Sequence, residues 1–143
     1  MNCDNLYLSG HCISPWMLFN CHCYYFSRDT RTWANAQSTC QQRNSNLVKI
    51  EDKAENDWLI LMLRVMSITD HTWIGANDIT QPDHWKWVSD NTSLNFTAWG
   101  HNEPSRTDFE DGKIEDCGSF FREKKRTWND INCNYLFSYI CEQ

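Results

Sequence analysis

The sequence predicts a small α+β domain in which two amphipathic helices come first and short strands follow. Residues 31–43 and 51–65 carry apolar side chains at spacings of three and four, which is typical of helices with one buried face. After residue 67 the pattern changes to short β-prone segments separated by polar loops. Helices early and strands late indicate an α+β domain, and 143 residues are enough for one buried core.

The first predicted helix begins after a threonine. Thr30 is a candidate N-cap for a helix that opens at Arg31, because a Thr hydroxyl accepts hydrogen bonds from the free N–H groups of a first helical turn. The helix is expected to extend to about Arg43. One face carries residues at helical spacing, and Cys40 among them is expected to face the core: Trp33, Ala36, Thr39 and Cys40.

The second predicted helix gives the strongest helical signal. Residues 47–50 alternate like a short strand, and Glu51 and Asp52 then open the helical pattern. The predicted buried face consists of Ala54, Trp58, Leu61, Met62 and Val65.

Strands and loops make up the second half of the chain. Predicted strands lie at residues 72–74, 84–88, 117–121 and 135–141. Residues 89–116 form a polar stretch longer than a compact domain keeps without purpose, so we expect the functional site there. Five tryptophans are interpreted as core and scaffold: Trp58, Trp73, Trp85, Trp87 and Trp128.

Composition places the chain among globular proteins and excludes several kinds of partner. Hydrophobic residues make up 41% and aromatic residues 14%, which is too apolar for a disordered chain. A net charge of −6 repels phosphate backbones, so no nucleic acid partner is expected. The longest apolar stretch, residues 58–66, is shorter than the roughly 20 residues of a membrane span. We therefore predict a single domain over residues 1–143, with residues 1–11 as an N-terminal extension.

Cysteine usage and glycosylation signals point to an extracellular protein. The eight Cys are an even number, and Asn91 and Asn95 each begin a glycosylation sequon, a combination typical of oxidising compartments. Residues 1–20 lack the basic start and apolar run of a leader peptide. We interpret the sequence as mature and secreted, with Met1 as an added start residue.

Short motifs follow one another in a fixed order along nearly the whole chain. They are Cys12, Trp16, Phe19, Cys23-Tyr24-Tyr25-Phe26, Trp33-Ala34, Ala36, Cys40, Leu47, Ile50, Glu55, Leu59, Trp73-Ile74-Gly75, Trp85-Lys86-Trp87, Trp99, Glu103-Pro104, Glu115-Asp116-Cys117, Trp128-Asn129-Asp130, Cys133 and Ile140-Cys141-Glu142. Each motif alone is weak evidence, but the ordered set closely resembles the C-type lectin family. The resemblance implies that family's fold, which has two helices, antiparallel sheets and a long calcium-binding loop region, braced by disulfides.

The resemblance also implies three disulfides, Cys12–Cys23, Cys40–Cys141 and Cys117–Cys133. Sequence alone does not choose among the many pairings that eight Cys allow. The bridge between Cys40 and Cys141 would enclose about a hundred residues and stabilise the fold by roughly 4–5 kcal/mol on the chain-entropy account. Cys3 and Cys21 are left over, and they either pair within the chain or link two chains, so a disulfide-linked homodimer stays open.

A calcium site is implied by two distant stretches of the chain. In family members that bind sugar, a Glu-Pro-Asn or Gln-Pro-Asp triplet, a downstream Glu and a Trp-Asn-Asp motif together hold one Ca²⁺. Ca²⁺ takes roughly 6–8 oxygen ligands, and the matching side chains supply carboxylate, hydroxyl and amide oxygens. The matching residues, of which all but the last are also expected to bond sugar hydroxyls, are Glu103, Ser105, Glu115, Asn129 and Asp130.

The triplet itself departs from the family pattern at its third position. Pro104 is expected to follow a cis peptide bond, which lets Glu103 and Ser105 point to the same side. An acid in the first position implies a mannose-type preference, for mannose, fucose or N-acetylglucosamine. Ser105 replaces the usual Asn or Asp, which lowers the expected calcium affinity and leaves galactose open, with Phe109 available to stack on that sugar.

Other metal-binding and catalytic patterns are weaker. Residues 81–83 spell Gln-Pro-Asp but lie well ahead of the calcium position, and we interpret them as a turn. A second calcium near Asp78 and Asp116 is disfavoured, because Ile79 and Pro82 occupy neighbouring places where an acid would help, and Arg106 follows the triplet. A zinc site or cysteine hydrolase built on Cys23 conflicts with its implied bridge, and we predict no enzymatic activity.

Two hypotheses of function follow from these residues. The first is a calcium-dependent lectin that binds terminal monosaccharides on glycoproteins or microbial surfaces, plausibly in innate immune recognition. The second is a calcium-independent member of the same fold that binds a protein or ice through its surface. The intact set of acids favours the first hypothesis.

Overall fold

The computed structural model describes residues 12–108, 110–123 and 125–143. The predicted N-terminal extension therefore lies outside the described residues. Within them the helices and strands are, in chain order, β1 Met17–Phe19, β2 His22–Phe26, α1 Trp33–Gln42, β3 Asn46–Leu47, α2 Lys53–Val65, β4 Thr72–Asn77, β5 Lys86–Trp87, β6 Cys117–Phe120, β7 Trp128–Ile131 and β8 Ser138–Glu142. The predicted α+β class is confirmed.

The strands form one continuous sheet with the last strand near its centre. The order is β1-β2-β8-β4-β6-β7, with β3 added on β8 and β5 on β4. Most pairs are antiparallel as predicted, but β4 and β8 run parallel. The parallel pair arises because β8 enters between β2 and β4, and its antiparallel pairing with β2 sets its direction. The sheet is therefore mixed.

The first helix starts later than predicted. Its N-cap is Thr32, whose side chain accepts a hydrogen bond from Asn35 N, and not Thr30. Arg31 exchanges two backbone hydrogen bonds with Phe137, which holds the chain extended at that point and delays the helix. Cys40 is fully buried, as predicted.

The second helix is capped by Asp52, but its buried face differs from the predicted one. Leu61 is 48% exposed and Val65 is 66% exposed, so these two predicted core residues face solvent. The buried residues are Glu55, Asn56, Leu59 and Leu63. Hydropathy missed this face because two of its four residues are polar and are satisfied by tertiary hydrogen bonds from Tyr24 and Trp128.

Strand β7 was not predicted, although it carries the Trp-Asn-Asp motif. Asn and Asp are depleted in strands, so the segment gives no β signal of its own. In the structure it pairs with β6, with Asn129 opposite Ser119 and Asp130 opposite Gly118. This ladder fixes where the motif's side chains lie.

The core is rich in tryptophan, as predicted. Trp87 and Trp128 are almost completely buried in one core cluster, and Trp58 and Trp85 are partly buried against it. Trp73 is fully buried in a second cluster. The ring of Trp128 contacts those of Trp87 and Trp99 edge to face. Edge-to-face packing of this kind stabilises β7, which begins at Trp128, and the neighbouring chain at Trp99.

The three disulfides implied by the resemblance are all present, at Cys12–Cys23, Cys40–Cys141 and Cys117–Cys133. Cys21 is also disulfide-bonded, and no free cysteine occurs among the described residues. The bond of Cys21 forms in a single chain, which supports pairing within the chain over a link between two chains, and Cys3 itself lies outside the described residues. No helix in the described part of the chain is long and apolar enough to cross a bilayer.

Candidate functional site

The loop that carries Glu103 is anchored on β7 through Trp128. Trp128 N donates to Ala98 O at 2.9 Å, and Gly100 N donates to Trp128 O at 2.8 Å, so the loop runs beside β7 like a further strand. Glu103 N then donates to Gly100 O at 3.0 Å and closes a turn. The peptide bond between Glu103 and Pro104 is cis, as predicted. The turn brings Glu103 next to the Trp-Asn-Asp motif.

Asp130 holds the residues after this turn against β7. Its Oδ1 accepts a hydrogen bond from Ser105 N at 2.9 Å, and its Oδ2 accepts one from Arg106 N at 2.6 Å. Asp130 is completely buried. A buried carboxylate that accepts two backbone N–H bonds is a strong structural tie. The two distant stretches of chain named from the sequence therefore do meet.

Ser105 links two of the predicted calcium ligands. Its hydroxyl donates to Glu115 Oε1 at 2.8 Å and lies 3.3 Å from Asp130 Oδ1. Glu115 sits two residues ahead of β6 and is 7% exposed. Ser105, Glu115 and Asp130 thus form one hydrogen-bonded cluster under the loop.

Two further predicted ligands present buried oxygens that lack a hydrogen bond. Glu103 Oε2 and Asn129 Oδ1 have no partner among the described residues. Buried acceptors of this kind are rare in native proteins and call for an explanation such as an ion. Both residues line a pocket of about 200 Å³, together with Gly100, His101, Phe121, Glu123, Thr127 and Trp128.

The pKa values of two carboxylates in the cluster are raised, and a bound cation would lower them. Burial, followed by the adjacent Asp130 carboxylate, raises the pKa of Glu103 to about 8. Burial and then the charge of Asp130 likewise raise the pKa of Glu115 to about 7. Like charges that are buried together disfavour ionisation of each other, and a dication among them reverses this effect.

The donor set is hard and made of oxygen, which suits calcium in chemical type. Among the described residues, no group of three or more His, Cys, Asp or Glu side chains could hold a metal ion by itself. Any cation here would depend on Ser105 and Asn129 as well as the acids. The unpartnered oxygens of Glu103 and Asn129 are the feature that fits such an ion.

The region of the disfavoured second calcium contains a positive side chain. Arg106 Nη1 lies 3.5 Å from Asp83 Oδ2. Asp78 is buried, its Oδ2 accepts a hydrogen bond from Asp83 N, and burial followed by the nearby Asp116 raises its pKa to about 6. Residues 81–83 form a turn, as predicted, with Asp83 at φ 65°.

A family profile described as the lectin C-type domain matches residues 29–143. The chain belongs to the C-type lectin domain family. A perlucin-like protein of Mytilus galloprovincialis is 33% identical over 93% of this chain and 87% of its own length. The chicken hepatic lectin is 32% identical over 90% of this chain, which spans only 58% of that lectin. For such longer relatives the chain corresponds to one part of the protein.

Solved C-type lectin domains share the fold. The carbohydrate-recognition domain of the human scavenger receptor C-type lectin superposes with a TM-score of 0.82 at 30% identity, covering 92% of this chain and 98% of that one. A herring type II antifreeze protein superposes with a TM-score of 0.78 at 28% identity, covering 92% of this chain and 98% of that one. The fold therefore hosts more than one function, and the site must decide between them.

This C-type lectin domain brings together all five predicted ligands, whereas Phe109 lies outside the described residues. Several pocket residues were missed by sequence reasoning, namely Gly100, His101, Phe121, Glu123 and Thr127. A histidine two residues before the Glu-Pro pair was the one available signal. The others line the pocket only because the loop folds back beside β7, which no local pattern indicates.

Proposed function

We propose that this C-type lectin domain binds carbohydrate in a calcium-dependent manner. The observation that carries the proposal is the pair of buried, unpartnered oxygens, Glu103 Oε2 and Asn129 Oδ1, on one pocket. They sit beside a cluster in which the carboxylates of Glu115 and Asp130 are already buried. Burying unpaired acceptors and charges is unfavourable unless a ligand completes them.

The calcium ion would be held by Glu103, Ser105, Glu115, Asn129 and Asp130. When bound, it supplies positive charge to the acid cluster and open coordination positions for a pair of sugar hydroxyls. Asp130 keeps the loop on β7 through its two backbone bonds, and Ser105 orients Glu115 through its hydroxyl. The free lone pairs of Glu103 and Asn129 accept hydrogen bonds from the sugar.

A mannose-type preference follows from the order of the triplet, with the acid of Glu103 first. Mannose, fucose and N-acetylglucosamine are the expected sugars, and galactose is the competing one because Ser105 does not reproduce the usual amide. The bovine CD23 recognition domain, which superposes with a TM-score of 0.80, was crystallised in the presence of a GlcNAc2Man3 oligosaccharide. That precedent supports a glycan of this class.

A calcium-independent role is favoured by a different feature of the same cluster. Both oxygens of Asp130 already accept hydrogen bonds, so part of the site is satisfied without an ion. In that case the domain would bind a protein partner, and chelation would leave binding unchanged. The orphaned oxygens of Glu103 and Asn129 argue against this alternative.

A glycan array in calcium and in EDTA tests the proposal, with Glu103→Gln as the site variant. Glu110→Gln is the matched control, because Glu110 is an exposed acid of the same loop region. We expect mannose-type glycans to be bound in calcium, released by EDTA, lost in Glu103→Gln and kept in Glu110→Gln. Binding that survives both EDTA and Glu103→Gln would reject the calcium site.

The biological setting is proposed on the same basis. We infer a secreted protein that recognises terminal monosaccharides on glycoproteins or microbial surfaces and acts in innate immune recognition. One site of this open kind binds a monosaccharide with millimolar affinity, about −4 kcal/mol, so useful binding requires several copies. Because Cys21 is already disulfide-bonded in the single chain, the copies would associate without a covalent link through it. Size-exclusion chromatography of the whole chain tests this association, and elution as a monomer at every concentration would exclude the dimer.

A further inference from the structure

The turn between β6 and β7 is strongly basic in an otherwise acidic protein. Residues 122–126 read Arg-Glu-Lys-Lys-Arg, so four of the chain's 13 basic residues fall within five positions. The whole chain has a net charge of −6. A local reversal of charge is a feature that attracts anionic ligands.

A pocket of about 300 Å³ lies between this turn and the end of α2. Arg64, Arg122 and Arg126 line it, above an apolar floor that includes Leu63 and Ile68. Its size is at the lower end of the range for small-ligand sites. Guanidinium groups over an apolar floor are well suited to a charged group attached to a sugar ring.

Arg126 is the central group of this pocket and is 8% exposed. Its Nη1 donates to Asp70 O at 2.7 Å, and its Nη2 donates to Ile68 O. A guanidinium carries more N–H donors than these two bonds use. Burial, followed on the unfavourable side by the charge of Arg64, lowers the pKa of Arg126. The fixed backbone bonds hold this cation in place without neutralising it.

None of the ion pairs among the described residues involves Arg64, Arg122 or Arg126. Glu123 also lines the pocket, and Asp70 acts on Arg126 at longer range, so the excess of positive charge is partial. Of the three arginines only Arg126 is buried, and buried charges are normally paired. An anion that enters the pocket would provide the missing pair.

The same turn separates this pocket from the proposed sugar pocket. Phe121 and Thr127 line the sugar side, whereas Arg122 and Arg126 line the basic side. Glu123 lines both pockets, so they adjoin one another. A substituent or a neighbouring sugar unit on a saccharide in the first pocket would pass Glu123 to enter the pocket that the arginines line.

We infer that the arginine pocket binds an anionic group, a sulfate ester or a carboxylate, of a saccharide held at the neighbouring calcium site. The inference rests on the proposed function for the sugar and stands on its own for the anion. The preferred ligands are then acidic glycans that carry a mannose-type unit. Neutral glycans of the same skeleton bind through the calcium site alone.

The anion site is tested first without sugar or calcium, by NMR titration of the whole chain with sodium sulfate against sodium chloride at equal ionic strength. We expect saturable amide shifts in residues 64–69 and 122–127 with sulfate, which are lost in the double variant Arg64→Gln, Arg122→Gln. Both positions are exposed, so the variant should fold. Arg43→Gln, which removes an exposed arginine elsewhere, should keep them. Shifts that chloride reproduces, or that persist in the double variant, would overturn the inference.

The second arm compares neutral, sulfated and sialylated forms of one mannose-type glycan in calcium. We expect the anionic forms to bind more tightly, with the double arginine variant losing roughly two- to tenfold of affinity for them and none for the neutral form. Which anionic form gains more identifies the ligand as sulfate or carboxylate. Equal loss for neutral and anionic glycans would reject the arginine pocket. Failure of every glycan to bind would reject the proposed sugar site. The anion site would still be tested separately by the sulfate titration, which uses neither sugar nor calcium.

Discussion

Asp130 and Ser105 organise the proposed site at the scale of single residues. Asp130 uses both carboxylate oxygens to hold the backbone after the cis Glu103–Pro104 bond, so it is a structural tie as well as a proposed ligand. Ser105 is too short to replace an amide fully and instead bonds Glu115. The departure from the family triplet therefore changes the internal bonding of the site while leaving the carboxylates in place.

Replacing Ser105 by Asn should strengthen calcium binding. The longer amide reaches further into the site and its carbonyl oxygen coordinates Ca²⁺ better than a hydroxyl, so we expect roughly a two- to tenfold gain in affinity. Calcium titration followed by tryptophan fluorescence measures it, because Trp128 adjoins the site. Ser89→Asn, at an exposed position, is the control. Unchanged or weaker calcium binding in Ser105→Asn would show that residue 105 is not a ligand.

Glu142, on β8 and outside the proposed site, has a side chain that is only 15% exposed, and it predicts a pH effect on stability. Burial, followed by the charge of Glu55, raises its pKa to about 8, despite a hydrogen bond from Lys49 N at 3.0 Å. Its other close neighbours are Tyr24 and the ring of His22, whose Nδ1 lies 3.1 Å away. Because the folded pKa lies above the unfolded one, the folded state favours the protonated form. That stability is complete below the unfolded pKa and is lost as pH rises through about 8.

Glu142→Gln mimics the protonated form, so its melting temperature relative to the native chain should rise between about pH 5 and pH 8 and level off above that. Thermal unfolding across that range measures the trend. Glu110→Gln, at an exposed acid, should show no such trend. If the difference in melting temperature between Glu142→Gln and the native chain is the same at every pH, the pKa of Glu142 is not raised in the folded state.

At the scale of elements, α2 shows how tertiary contacts set the buried face of a helix. Its inner face carries Glu55, which accepts a hydrogen bond from Tyr24, and Asn56, which accepts one at 2.8 Å from the indole of Trp128. The second contact joins the helix to Trp128, which lines the proposed sugar pocket. Buried hydrogen bonds of this kind specify the rotation of a helix more sharply than apolar contacts do.

Alanine substitutions on α2 distinguish the predicted face from the observed one. Leu59→Ala removes a fully buried side chain and should lower the free energy of unfolding by about 2–5 kcal/mol. Leu61→Ala removes a side chain that is 48% exposed and should cost less than about 1 kcal/mol. Urea denaturation measures both. A greater loss in Leu61→Ala than in Leu59→Ala would restore the face that hydropathy predicts.

At the scale of the whole molecule, disulfides hold a mixed sheet whose last strand lies at its centre. The bridge between Cys40 and Cys141 spans 101 residues and joins α1 to β8, whereas the bridge between Cys117 and Cys133 spans 16 and closes β6 on β7. Long loops lose more entropy on closure in the unfolded chain. We therefore expect the bridge between Cys40 and Cys141 to contribute more to the stability of the fold, and the bridge between Cys117 and Cys133 to hold together the two strands beside the proposed site.

Removing the bridges as Cys pairs to Ala should separate these tasks. The pair Cys40 and Cys141 should cost roughly 4–5 kcal/mol of unfolding free energy, and the pair Cys117 and Cys133 roughly 3 kcal/mol. Denaturant unfolding measures these values, and calcium titration should show the larger loss of affinity in the second variant. Equal stability losses would mean that chain entropy is not the main contribution, and equal calcium affinities that the second bridge does not support the site.

The sequence by itself determined the α+β class and, through its ordered motifs, the family, and the family resemblance in turn implied the disulfide pairing and the residues of the proposed calcium site. These could be predicted because they depend on ordered motifs, on helical spacing and on residue chemistry, all of which are local or additive along the chain. Even the cis bond at Pro104 was predicted from the motif.

Only the tertiary structure decided the rest, because the rest depends on contacts between distant segments. Arg31 pairs with Phe137 and so moves the start of α1, and two polar partners set the face of α2. The return of the loop beside Trp128 leaves oxygens of Glu103 and Asn129 buried without a partner. The arginine pocket likewise exists because the end of α2 meets the β6–β7 turn. Hydropathy and residue spacing describe single segments, so they do not predict which distant segments pack together.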